Sequence, residues 1–272
     1  MMHISIIGLG WLGLPLASFL QQKGHSVNGS TSSLEKKETL ERQGIRAERL
    51  LLDPLPVHAV PAQLFETDIL YINIPPGRRR HPDEYHPQQI QFLREAIEQH
   101  QIGKVIYVSA TSVYPSKNQL ARETDFLSAD TTGNPALWNA EQLLWGNKAY
   151  DLTVVRFGGL LGDDRIPGRY FSGKENVPGH PPVNYIHRTD AVRAIHWIIA
   201  QNLWNETFNI ISPEHPDKKT VFEKNAQDMG FPPPASYEQP PQQMWKEISC
   251  EKWLKTGFSF HFPDPLAFTY ST

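Results

Sequence analysis

Residues 3–13, HISIIGLGWLG, place an apolar run directly before three glycines, Gly8, Gly10 and Gly13. His3 to Ile7 has strand character, Leu12 to Lys23 has helical spacing, Gly24 stands as a helix stop and Val27 opens a second strand. A strand that passes through such glycines into a helix has a definite physical use. Gly8 permits the tight turn, Gly10 leaves bare backbone for a pyrophosphate, and Gly13 lets the helix lie close to the sheet. The helix N-terminus adds free N–H groups and a partial positive charge. The pattern predicts a dinucleotide site contributed by Gly8, Gly10, Trp11, Leu12 and Gly13. The alternative, a glycine-rich surface turn, leaves the flanking strand and helix unexplained.

The rest of the chain extends this beginning. Strands are expected at His3–Ile7, Ser26–Gly29, Ala47–Leu52, Ile69–Ile74, Lys104–Ser109 and Leu152–Phe157. Helical segments near Leu12–Lys23, Ser33–Gln43, Tyr85–Gln101 and Pro135–Ala149 alternate with them. That alternation implies an α/β fold of the Rossmann type, a doubly wound parallel sheet, with a small C-terminal substrate lobe. Residues 1–160 are expected to form the nucleotide-binding core and 161–272 mainly the lobe. Within the latter, a helix over Thr189–Ala200 and a strand over Thr207–Ile211 return to the core, and Lys218–Met229 forms a further helix. The last forty residues, rich in proline, are expected to wrap the surface.

Composition limits the function classes. A net charge of -3 argues against wholesale binding to nucleic acid or anionic membrane. One cysteine, Cys250, rules out an internal disulfide framework, and His180, His187 and His196 lack compact metal-ligand spacing, so no metal site is expected. No apolar run reaches the roughly 18 residues that a membrane span needs, and no signal peptide is evident. A cytoplasmic protein with a small-molecule substrate is the resulting expectation; nothing in the sequence sets its oligomeric state.

Several further stretches, taken together, carry a resemblance. They are INIPPG at 72–77, VIYVSATSVYP at 105–115, NAEQLL at 139–144, VVRFGGLLGDDR at 154–165, NYIHRTDAVRAI at 184–195 and TFNIISPEHP at 207–216. With GLGWLG at 8–13, they resemble the extended short-chain dehydrogenase/reductase superfamily, in particular its atypical NAD-dependent epimerase/dehydratase-like members. The resemblance implies NAD(P) on a Rossmann sheet and a substrate held between the sheet's C-terminal edge and the small lobe. A second resemblance, of IGLGWLGLPLASFLQQKGHSV to the N-terminus of the beta-hydroxyacid dehydrogenases, implies instead a mostly helical second domain with a catalytic lysine.

Cofactor choice is read after the second strand, where an acidic residue would bind the ribose 2′-hydroxyl of NAD. Here Ser30, Thr31, Ser32 and Ser33 occupy that place, the first acid is Glu35, and Lys36 and Lys37 follow. Hydroxyls and ammonium groups suit a 2′-phosphate, so NADP is expected, with NAD as the other option. The serines also suit a helix cap at Ser32 or Ser33. Ile74, Pro75, Pro76 and Ser109 are expected beside the nicotinamide, and Asp53 either meets adenine or makes an ordinary turn.

The resemblance also exposes what is missing. If Glu141 matches the acid four positions beyond the family's lysine, then Leu137 holds the lysine position and Gly133 the tyrosine position; Ala110 stands for the usual hydroxyl residue. The literal Tyr170–Lys174 pair lies after the sixth strand, outside the helix that would carry it. The remaining candidates for catalysis are Ser109, Ser112 and Tyr114, the last with no evident basic partner but Lys117; Trp138 is expected as a wall of the pocket. Arg165 and Arg169 are candidates for substrate contact, and Arg78-Arg79-Arg80 either binds an anion or forms a solvated loop. In 184–195, Thr189 or Asp190 is expected to cap the helix, with His187 as a buttress. Two functions follow: an NADP-dependent oxidoreductase or epimerase of a small polar or sugar-derived substrate with a nonstandard proton donor, or a non-catalytic NADP-binding sensor or scaffold.

Overall fold

The computed structural model describes residues 1–77 and 80–271. In chain order the elements begin β1 (His3–Ile7), α1 (Gly13–Gln22), β2 (Ser26–Thr31), α2 (Leu34–Arg42), β3 (Arg46–Arg49), β4 (Ile69–Ile72), α3 (Tyr85–Gln99) and β5 (Lys104–Ala110). They continue with β6 (Gln119–Ala121), α4 (Pro135–Trp145), β7 (Asp151–Phe157), β8 (Gly159–Leu161), α5 (Pro167–Tyr170), β9 (Tyr185–His187) and α6 (Arg188–Ala200). β10 (Glu206–Ile210), α7 (Lys218–Met229), β11 (Lys246–Ile248) and α8 (Glu251–Leu254) complete the chain.

Seven strands form one sheet in the order β10-β7-β5-β4-β1-β2-β3. The pairs β1–β2, β1–β4, β2–β3 and β4–β5 are all parallel, with Ile4 opposite Val27 on one side and Ile69 on the other. Every residue of β4 is buried, as are Ile4 to Ile7 of β1, because helices cover both faces and leave no face for alternation. This is the doubly wound α/β fold that the alternating pattern predicts.

The chain divides into two compact units. The first comprises Met1–Val113, Ser128–Val155 and Ile195–Thr207; the second comprises Tyr114–Leu127, Arg156–Ala194 and Phe208–Thr272. In the second, β6 pairs with β11 and β8 with β9, both in parallel. Its Val177, Val183, Val221 and Phe222 form a small core.

Several element boundaries differ from expectation for local reasons. β2 runs on to Thr31, because Ser30 and Thr31 still pair with Glu48 and Arg49. β3 ends at Arg49, with a last ladder bond from the Leu50 N–H to the Thr31 carbonyl at 3.0 Å, and Leu50 to Leu52 line a cleft. α4 stops at Trp145, where Gly146 turns extended at ψ 120°, so it does not reach Ala149. Ser33, not Ser32, caps α2 by accepting from the Lys36 N–H, and Asn134 caps α4 with Pro135 at its start. The last forty residues are more than a wrap: Trp253 is fully buried, and Cys250, Phe258 and Phe268 are buried as well. Asp190 is not a helix cap. Its buried carboxylate accepts the backbone N–H groups of His261 at 2.9 Å and Phe262 at 2.8 Å and pairs with Arg193 at 2.6 Å. It thereby ties the C-terminal segment to α6. His187 does buttress its surroundings: its ring accepts from the Thr189 N–H, bonds the Thr269 carbonyl and packs on Phe262.

Candidate functional site

The first unit holds a cleft of about 550 Å³ at the C-terminal ends of its strands. Its floor is the glycine turn between β1 and α1. Gly8 sits at φ +107°, and a side chain there would strike the Asn73 carbonyl; one on Gly13 would strike the Gly8 carbonyl. Gly10 differs from both. A Cβ on Gly10 meets nothing within 4 Å, and the residue lines the open cleft. Gly8 and Gly13 thus shape the turn, while Gly10 leaves room for a ligand. No side chain caps α1 at Leu12, so the helix start remains an electropositive feature beside that room.

One end of the cleft is built by β2. The Ser30 carbonyl accepts the Leu9 N–H at 2.7 Å and its hydroxyl accepts the Gly8 N–H at 3.1 Å. Thr31, Ser32, Ser33 and Lys36 continue the wall. Lys37 turns away to pair with Glu48 at 2.9 Å, which leaves Lys36 as the lysine of this wall. No Asp or Glu lines the cleft among the described residues.

Of the facing wall, only Arg80 was singled out in the sequence. Leu50 to Leu52, Arg80, His81, Tyr85 and Gln89 form it. His81 stacks on Tyr85 with ring centroids 3.7 Å apart and planes 10° apart. Below them lies a buried hydrogen-bonded chain. Gln89 donates to the Leu52 carbonyl at 3.0 Å, and its side-chain oxygen meets His86 Nδ1 at 3.2 Å. His86 Nε2 in turn meets the Tyr107 hydroxyl at 2.8 Å. Burial pushes the His86 pKa down to about 4, so the ring is neutral near pH 7. A neutral ring that donates through Nδ1 to Gln89 accepts the Tyr107 proton at Nε2. Asp53 does not line the cleft; its carboxylate accepts from the Tyr85 hydroxyl at 3.0 Å.

Of the residues predicted at the cofactor, Gly8, Gly10, Ser30, Thr31, Ser32, Ile74 and Pro75 line this cleft together. Leu12 is buried as the helix cap and Gly13 lies beneath the turn; Trp11 and Pro76 are half-buried beside it. Arg80 lines the cleft, whereas Arg78 and Arg79 lie outside the described residues.

The candidate catalytic hydroxyls have distinct surroundings. Ser109 is buried and donates to Glu141 Oε1 at 2.5 Å. Ser112 is half-buried and accepts from the Asn134 side-chain amide at 2.9 Å, which leaves its own proton to donate. Tyr114 does have a basic partner: Arg156 donates to its hydroxyl at 2.7 Å, and the hydroxyl bonds Asn209 Oδ1 at 2.9 Å. Burial nevertheless pushes the Tyr114 pKa up to about 12, against the pull of Arg156. Leu137 is buried and Gly133 is exposed, so neither position supplies a phenol or an ammonium. In the second unit, Arg165 is partly buried, which lowers its pKa, and Arg169 lies 5.5 Å from the centre of the Phe231 ring. The Tyr170–Lys174 pair is a cation–π contact at 3.7 Å, with Tyr170 exposed.

No protein-family model matches the chain. Among solved structures, UDP-N-acetylglucosamine 4-epimerase from Bacillus cereus aligns with a TM-score of 0.77 at 15% identity, over 98% of this chain and 97% of that one. UDP-glucuronic acid 4-epimerase from Bacillus cereus, solved with UDP-glucuronic acid and NAD, aligns with a TM-score of 0.77 at 16% identity, over 97% and 96%. The chain shares the fold of these two epimerases, and the short parallel pairs of the second unit are unlike a mostly helical domain. Protein YeeZ of Escherichia coli K12 is 30% identical over 269 residues, 98% of each chain. This chain belongs to the family of protein YeeZ.

Proposed function

We propose that the first unit binds NADP in the glycine-turn cleft and that the protein is an oxidoreductase or epimerase of a small, polar, sugar-derived substrate. One observation carries the cofactor reading. The cleft offers open backbone at Gly10 and, along β2 and α2, hydroxyls and the Lys36 ammonium with no lining carboxylate. A pyrophosphate suits the Gly10 turn and the start of α1, and a 2′-phosphate suits Ser32, Ser33 and Lys36. Gly8, Ser30 and Asn73 orient that turn, and Leu50 to Leu52 form the apolar wall for a base. The sugar-derived substrate is supported by the fold neighbours named as UDP-sugar epimerases.

A bound nicotinamide supplies or accepts hydride; the chain has to move the accompanying proton. Ser112, although not a lining residue of the cleft, is the candidate hydroxyl with a proton left to donate to a substrate oxygen, since Asn134 donates to its oxygen. Ser109 and Tyr114 are already committed to Glu141 and to Arg156 with Asn209.

A second reading, a non-catalytic NADP-binding sensor or scaffold, is favoured by Gly133 and Leu137 at the usual Tyr-Lys positions. Thermal unfolding with NADPH and NADH tests the cofactor: a ligand at 100 times its Kd adds about 2.7 kcal/mol to the native state. NADPH is expected to raise Tm more than NADH; no shift with either overturns the proposal. Hydride transfer with a panel of carbonyl compounds and nucleotide sugars then separates enzyme from sensor.

A further inference from the structure

Lys246 opens β11 in the second unit, opposite Gln119 of β6. Its backbone is held on both sides. Asn184 donates through its side-chain amide to the Lys246 carbonyl at 2.9 Å and accepts the Ile248 N–H at 2.8 Å. The preceding Trp245 exchanges two hydrogen bonds with Asn118, at 2.8 and 2.9 Å. From this fixed base the half-buried side chain reaches the Tyr114 backbone carbonyl, to which its ammonium donates. Tyr114 is itself fixed by Arg156 and Asn209.

An ammonium has three donors, and here one is spent on a neutral carbonyl. Among the described residues no carboxylate pairs with it, unlike Lys37 with Glu48 or Lys224 with Asp228. Burial alone acts on its pKa and brings it down to about 8. A partly desolvated cation on a fixed base, without a counter-charge, carries a cost that the one hydrogen bond to the Tyr114 carbonyl offsets only in part. An anion from outside the chain would offset it.

We propose that Lys246 is an anion-recognition residue of the second unit, which binds the phosphate or carboxylate of a small-molecule ligand beside the Tyr114 carbonyl. The rigid β11 backbone presents the charge, and Tyr114 fixes its direction. This inference does not depend on the cofactor cleft.

The test is NMR of protein labelled with ¹³C,¹⁵N-lysine, in which Cε–Nζ correlations report each lysine. Lys246→Arg assigns the Lys246 signal, with Lys246→Gln as the second variant. Inorganic pyrophosphate and acetate are titrated separately to about 10 mM, a range that detects millimolar affinity. The expected result is a saturable Lys246 shift, several times that of the exposed Lys255, with one probe or both. The responding probe identifies phosphate or carboxylate as the preferred group. A Lys246 shift no larger than that of Lys255 with both probes overturns the proposal. A parallel NADPH titration keeps the readings apart: absent NADPH binding with a saturable Lys246 shift overturns only the cofactor assignment.

Discussion

The Ser109 hydroxyl donates to the Glu141 carboxylate at 2.5 Å, and both residues are buried, at 3% and 1% exposure. A hydrogen bond to a buried charged group contributes about 1.5–3 kcal/mol. Ser109→Ala is therefore expected to lower unfolding free energy by about 2 kcal/mol, read from urea denaturation. NADPH affinity should stay within about twofold, since Ser109 lies outside the cleft lining. A large loss of affinity with unchanged stability would contradict this assignment.

The three glycines of the first turn should separate by phenotype. Gly13→Ala drives a methyl into the Gly8 carbonyl and is expected to cost about 1–3 kcal/mol of stability. A Cβ at Gly10 meets nothing within 4 Å, so Gly10→Ala should keep the melting temperature while NADPH binding falls at least about tenfold. Calorimetric melting and fluorescence titration on the two variants measure both quantities.

Lys36→Ala should weaken NADPH by about tenfold, the loss of one charge-assisted contact, and leave NADH nearly unchanged. Lys37→Ala provides the control, because Lys37 already pairs with Glu48. Equal effects of Lys36→Ala on the two cofactors would remove the 2′-phosphate assignment.

His86 gives the fold a defined acid response. Its folded pKa is pushed down to about 4 by burial, against an ordinary value of 6.5. Between these values the unfolded chain binds the extra proton, so stability is full above pH 6.5 and falls as pH drops toward 4. The loss from pH 7 to pH 5 is expected to be about 2 kcal/mol from His86 alone. His25, His187 and His196 are lowered too and act in the same sense. Urea unfolding of His86→Gln at both pH values should show a smaller pH dependence than the native chain, and an identical slope would contradict it.

The legible parts of this chain were those with local signals. Apolar runs located β1, β4, β5 and β7, and helical spacing located α7 over Lys218–Met229, which the structure shows capped by Asp217. The three-residue strands β6, β8, β9 and β11 were invisible, because so short a segment has no period and each pair joins distant stretches. The candidate site divides in the same way. Gly10 and Ser30 belong to a contiguous motif, whereas His81, Tyr85 and Gln89 reach the cleft only through α3 packing beside Leu52. Tyr114 shows the limit most plainly, since its basic partner Arg156 is 42 positions away and inside a strand.

Ser30 has a consequence for engineering. Its hydroxyl and carbonyl both receive N–H groups of the glycine turn, from Gly8 and Leu9. A side chain on the wall proposed to select the cofactor is therefore also a strut of the glycine turn. Writing a carboxylate at position 30 to test the proposed NADP preference would alter the turn as well. Ser32 is exposed on the same wall and carries no such bond from its side chain, so retargeting at position 32 leaves the strut in place.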